Sequence, residues 1–153
     1  KSLILKEGGK IMSLQDPKKK MSKSDDPKSC IFLFDEPDVI RKKIMSATTD
    51  SGKAVTYNIT KKPRISNLLT IYSLLTGKPT QDIEKQFKKK SYAEFKKSLA
   101  EVITNYLEPF RRKQKEFLAR DVYVQEILKQ GQARALTIAQ ETMNEVKQKM
   151  GLM

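Results

Sequence analysis

From residue 35 onward, apolar residues recur three and four positions apart, the period of a helix that buries one face; before residue 35 they do not. This change predicts a mainly α chain, a helical bundle behind a short strand and loop leader. In the leader, Leu3 to Leu5 form a brief apolar run that reads as a strand remnant. Gly8, Gly9, Ile11 and Met12 follow, and then a Lys/Ser/Asp/Pro stretch to Pro27 that reads as a polar, mobile loop. Cys30 to Phe34 is apolar and short, which fits either a small buried strand or a loop packed on the core.

The helical pattern starts with Asp35 as a cap and Pro37 in the first turn, and places Ile40, Ile44 and Ala47 on one face. Residues 53–64 read as a basic, irregular connection with a brief strand at Val55 and Tyr57. Ser66 or Asn67 then opens a helix whose Leu68, Leu69, Ile71, Tyr72, Leu74 and Leu75 are apolar nearly all round, the mark of a core helix. Gly77 and Pro79 end it. Thr80 begins a short helix with Ile83 and Phe87 inward. Ser91 and Glu94 form a capping box ahead of a stripe of Phe95, Leu99, Val102, Ile103 and Tyr106. Pro109 is expected to bend or break this helix, with Phe110 and Phe117 extending the stripe to about Arg120. Asp121 is expected to cap the next helix, and Gly131 to mark a boundary. A last helix carries Leu136, Ala139, Met143, Val146 and Met150 up to Gly151.

Charge adds a partner class. The 153 residues hold 31 Lys and Arg against 18 Asp and Glu, a net charge of +13. The cations cluster at Lys18–Lys20 with Lys23, Lys61–Arg64, Lys88–Lys90, Lys96 with Lys97, and Arg111–Lys115. Such clusters suit a polyanion, because each phosphate contact releases condensed counterions, although solvated helix faces carry similar patterns. Composition also excludes. No apolar run approaches the roughly 20 residues of a membrane span, and the start has no signal-peptide pattern. A lone Cys30 excludes a disulfide framework and a Cys/His zinc cluster, so the reading is a cytoplasmic protein with no metal site of its own. Without histidine, no imidazole triad can be built.

One segment suggests chemistry. Lys20-Met21-Ser22-Lys23-Ser24 sets two lysines three apart on a Ser-rich loop, able to bring two compact ammonium charges to one polyphosphate. Loop N–H groups and serine hydroxyls add donors without bulk. Taken alone, the five residues also fit a solvated turn, or a phosphorylation site beside Asp25 and Asp26.

This string is the KMSKS signature of the class I aminoacyl-tRNA synthetases. Ile11 to Pro17 before it resembles the bacterial tryptophanyl enzymes, as do Ala47 to Ser51, Pro63 with Ser66 to Leu69, Ser91-Tyr92, and Phe95-Lys96. Gly131 to Ala135, Ile138-Ala139 and Met150 to Leu152 resemble the family's terminal helices. Met21 and Ser22 favour the tryptophanyl over the tyrosyl branch, which usually carries Phe and Gly there. The chain departs at Leu5, Gly9, Lys10 and Arg64, where the family usually has Pro, Ala, Arg and a small residue.

The resemblance implies that residues 1–34 are the end of a nucleotide-binding domain with the signature loop, and residues 35–153 a helical anticodon-binding domain. The family's His-containing signature and its tryptophan pocket lie in a Rossmann domain that this chain lacks, and Lys1 stands where an initiator Met would. The expectation is therefore a C-terminal fragment, inactive alone and monomeric, of a homodimeric enzyme. That enzyme activates tryptophan with Mg-ATP, without a tightly bound cofactor, and charges tRNA(Trp). By resemblance Lys20 and Lys23 are catalytic, and Ile11, Lys20, Met21, Ser22, Lys23 and Ser24 bind ATP. Tyr92, Phe110 and Tyr123 read as core rather than base-stacking residues. The alternative readings are a non-enzymatic helical RNA-binding module and an interaction scaffold.

Overall fold

Proline sets the first two helix starts. The computed structural model describes residues 8–52 and 54–152. In it α1 (Pro37–Ser46) and α2 (Pro63–Thr76) both open on proline, whose fixed φ and missing N–H suit a first turn. α3 (Thr80–Phe87), α4 (Tyr92–Leu118) and α5 (Asp121–Lys149) follow. Among the described residues these are the α-helices, joined by one 3-10 turn at Pro27–Ser29. No strand forms there, only isolated bridges between Met12 and Lys20 and between Asn58 and Lys62. The mainly α expectation holds, and the Leu3 to Leu5 strand lies outside the described residues.

Several local expectations are corrected. Asp35 does not cap α1: the N-cap is Glu36, and the Asp35 carboxylate accepts instead from Phe32 N–H (2.9 Å) and Lys43 Nζ (2.6 Å). α2 starts at Pro63, ahead of Ser66 and Asn67, whose side chains are spent on tertiary bonds. Val55 and Tyr57 form no strand: Val55 is buried, and Tyr57 N–H donates to the Glu84 carboxylate. Cys30 to Phe34 is a loop. α4 continues through Pro109. The buried Arg111 guanidinium donates to the Thr104 carbonyl (2.8 Å), to Asp35 O (3.2 Å) and to the Glu108 carboxylate (2.7 Å). α5 continues through Gly131, since one glycine costs a helix only about 1 kcal/mol relative to alanine. Its N-cap is Arg120, with Asp121 in the first turn.

The chain divides after Arg111 into two units. In the first, one face each of α1 to α4 closes on Ile40, Ile44, Ile65, Leu68, Leu69, Ile83, Leu99 and Ile103. Tyr72, Phe87 and Phe95 meet at its centre with ring centroids 5.1–5.9 Å apart. Each such buried apolar side chain contributes about 2 kcal/mol. The capping box forms as expected: Ser91 N–H donates to Glu94 (2.8 Å), and Glu94 N–H to Ser91 Oγ (3.3 Å). Gly77 ends α2 at φ 70°, its N–H on Ser73 O. In the second unit, no side chain of α5 is buried, and Phe117 stacks on Tyr123 at 6.4 Å. Phe110 and Tyr123 are exposed rather than core, and Tyr92 is half-buried.

Candidate functional site

The signature loop rises from a short paired stem. Ser13 N–H donates to Lys19 O, and Met21 N–H to Ile11 O, both at 2.9 Å, so residues 11–13 and 19–21 run antiparallel. Leu14 N–H reaches Ser29 O (3.0 Å) and ties the stem to the 3-10 turn, which the Asp26 carboxylate caps through Lys28 N–H. Lys20 to Ser24 leave the stem as a tight turn: Ser24 N–H donates to Ser22 Oγ (3.3 Å) and Asp25 N–H to Ser22 O (3.4 Å). Lys20 and Lys23 are exposed, and among the described residues neither is in an ion pair. Two ammonium groups are thus held on an ordered turn and left open to solvent. That arrangement can receive a phosphate chain.

Helix residues hold the base of the stem. The Asn67 carboxamide accepts from Met12 N–H (2.9 Å) and donates to Met12 O (2.8 Å), which satisfies both backbone groups of one residue. Thr48 N–H and its hydroxyl both reach Leu14 O, and the hydroxyl also donates to Gln15 O (3.2 Å). Thr48 itself follows the end of α1, where the buried Lys96 Nζ donates to Ala47 O (2.6 Å) and Met45 O (3.1 Å). A cation at those last carbonyls complements the helix dipole. Burial pushes the Lys96 ammonium below its ordinary pKa. Leu14 is 2 % exposed and roots the hairpin in the core.

Ile11 and Met21 come together in the lining of an apolar groove of about 350 Å³, along with Phe32, Ile71, Leu74 and Tyr106. A flat, apolar ring system fits such a groove. Behind it, Lys43 Nζ sits 4.2 Å from the Phe32 ring centre, donates to Cys30 O (2.9 Å) and pairs with Asp35. Burial raises the Cys30 thiol despite the nearby Lys43 charge, which favours its neutral form.

The structure therefore joins Ile11 to Met21, keeps Lys20 to Ser24 on one turn, and brings Asn67, Thr48 and Lys96 to the stem. Those last three have no site role in the sequence reading. The usable signal for Asn67 was an amide inside an otherwise apolar helix, because a buried polar side chain must find partners. Among the described residues no group of His, Cys, Asp and Glu could hold a metal, and no helix is long and apolar enough to cross a membrane.

A family model described as tRNA synthetases class I (W and Y) matches residues 1–108, and the chain belongs to that family. Within it, the similarity is to the tryptophan branch. The chain is 47% identical over 151 residues to the tryptophan–tRNA ligase of Caldanaerobacter subterraneus subsp. tengcongensis, covering 98% of this chain and 46% of that protein. It is 45% identical over 150 residues to the ligase of Listeria monocytogenes, with 97% and 45% covered. The tryptophanyl-tRNA synthetase of Campylobacter jejuni, solved with ADP and tryptophan, superposes with a TM-score of 0.72 at 27% identity, over 93% of this chain and 43% of that one. The Mycoplasma pneumoniae enzyme gives 0.63 at 35% identity, over 73% and 35%. The chain thus spans about 45% of the length of the curated relatives.

Proposed function

We propose that this chain supplies the signature-loop and tRNA-binding part of a tryptophan–tRNA ligase: residues 1–34 close the nucleotide-binding domain, and residues 35–153 bind the anticodon end of tRNA(Trp). The observation that supports this most is the exposed Lys20 and Lys23 pair on a turn whose stem is bolted to α2. In the ligase reaction the tryptophan carboxylate attacks the α-phosphorus of Mg-ATP, pyrophosphate leaves, and the terminal ribose of tRNA takes the aminoacyl group from the adenylate. No protein nucleophile is required; position and charge carry the rate. Lys20 and Lys23 offset negative charge gathering on the β- and γ-phosphates. One ammonium about 4 Å from a unit charge contributes roughly 4 kcal/mol at an effective dielectric near 20, before desolvation.

Ser22 and Ser24 shape the turn, while Ile11 and the Met21 backbone face the adenine. The magnesium ion enters as part of the substrate, and the whole enzyme is a cytoplasmic homodimer. The test is tryptophan-dependent exchange of pyrophosphate into ATP. The 153-residue chain alone is expected to be silent, and the full-length enzyme bearing this sequence active. Robust exchange by the chain alone, free of full-length enzyme, would overturn the division of labour.

A further inference from the structure

The fold brings two of the basic clusters to one place. Lys62 Nζ (2.9 Å) and Tyr92 Oη (3.2 Å) both donate to the Ala54 carbonyl, from positions 30 residues apart in sequence. Tyr92 begins α4 directly after the turn Lys88–Ser91, so this shared acceptor sets Lys62 beside the Lys88–Lys90 run. The Lys88–Lys90 run lines a cleft of about 560 Å³ together with Gly52, Ala54 and Tyr92. Gly52 stands at φ 128°, which a side chain would strain, and it leaves the cleft floor bare.

Lys88, Lys89 and Lys90 are exposed, and among the described residues none is in an ion pair. Lys62 binds only neutral oxygens, Ala54 O and Thr56 Oγ1. The neighbouring carboxylates hydrogen-bond to neutral donors, Asp50 to Ile65 N–H, Glu84 to Tyr57 N–H and Glu94 to Ser91, although the Glu94 carboxylate also feels the Lys90 charge. Three lysines thus line a cleft of nucleotide size with Tyr92 among its walls, and a fourth, Lys62, donates to the Ala54 carbonyl at its edge.

We propose that Lys62, Lys88, Lys89 and Lys90, with Tyr92 on the rim, form the principal phosphate-backbone contact of this chain for tRNA. This rests on the tRNA reading above and adds the place where the RNA sits. Ammonium point charges on long stems follow a bending single-stranded backbone, and a half-exposed tyrosine offers a face for a splayed base. By contrast, several cations further along the chain lie in pairs three or four residues apart: Arg111 on Glu108, Lys113 and Arg120 on Glu116, and Lys149 on Glu145.

The experiment is titration of the full 153-residue chain with labelled tryptophan tRNA at several salt concentrations. Two triple variants remove the same charge: Lys88→Gln, Lys89→Gln, Lys90→Gln at the corner, and Lys129→Gln, Arg134→Gln, Lys147→Gln on α5. All six positions are exposed, so circular dichroism should report unchanged folding for both. The corner variant is expected to bind about tenfold or more weakly at low salt, and its log K against log salt slope to become shallower by about 2. The α5 variant is expected to match the parent chain. Equal losses in both variants would show diffuse attraction and overturn the corner. So would a parent chain that binds tRNA while the corner variant binds equally well. A parent chain that fails to bind at any salt removes the tRNA reading itself, which is a distinct result.

Discussion

Asn67 closes a two-point hydrogen-bonded ring on the backbone of Met12, across 55 positions of sequence, with bonds of 2.9 and 2.8 Å. Replacing it with alanine leaves a half-buried N–H and C=O without partners. Asn67→Ala is expected to cost about 1–3 kcal/mol in chemical denaturation. It should also speed amide exchange at Met12 and Met21 well beyond that at the α2 amides. Uniform acceleration across the first unit would mean that the clamp acts on global stability and not on the stem.

The signature lysines should behave in the opposite way, with function lost and stability kept. In the full-length enzyme, Lys23→Ala is expected to lower the rate of tryptophan activation about a hundredfold. Because Lys23 is exposed and in no ion pair, the melting temperature should stay within about a degree. Unchanged activation kinetics would remove Lys23 from the mechanism.

Asp35 and Lys43 form an ion pair of 2.6 Å whose side chains are only 11% and 9% exposed. Breaking one side strands a charge, so Asp35→Asn and Lys43→Met are each expected to cost about 3 kcal/mol. The double variant should cost less than the sum of the two. Strict additivity in a double-mutant cycle would show that the pair is not coupled.

The α4 capping box makes stability depend on acid. Hydrogen bonds from the Ser91 backbone and hydroxyl hold the Glu94 carboxyl below its ordinary value of 4.5, with help from Lys90 and Lys97. Its folded pKa is depressed, so between that value and 4.5 the unfolded chain binds more protons and stability rises with pH. The contribution is complete above the unfolded value and is lost as pH falls through the folded one. The melting-temperature gap between the parent and Glu94→Gln should therefore shrink on acidification below 4.5. A gap independent of pH would exclude the charged carboxylate as the capping species.

Gly77 gives a backbone test free of packing. It stands at φ 70°, and an added Cβ would meet nothing within 4 Å. Gly77→Ala is expected to cost about 1–2 kcal/mol from conformation alone, read by thermal unfolding. No loss would mean that α2 ends without its left-handed cap.

Helices α1 to α4 were legible because their apolar period and their punctuation agree: Gly77 stops α2, and Ser91 with Glu94 starts α4. What escaped was the use of polar side chains across long separations. Asp35, Ser66 and Asn67 each read as a helix cap in the sequence, and each is spent on a bond elsewhere. Local pattern cannot tell a cap from a tertiary anchor, since both are short polar side chains near a helix start. Pro109, expected to bend or break its helix, does not break α4, and Gly131 does not divide α5, because propensity sets a cost and not a veto. The Lys20 to Ser24 string was plain in the sequence, whereas the residues that fix its stem lie 28 to 76 positions from Lys20: Thr48, Asn67 and Lys96.

Those separations bear on the order in which the molecule acquires its shape. Closing a loop of more than 50 residues costs chain entropy before the bonds of Asn67 return anything, whereas the helical turns of α2 form from near neighbours. By this entropy argument the clamp on the signature turn is expected to close after α2 has formed. A nucleotide that recognises that turn consequently favours chains whose first unit has already folded.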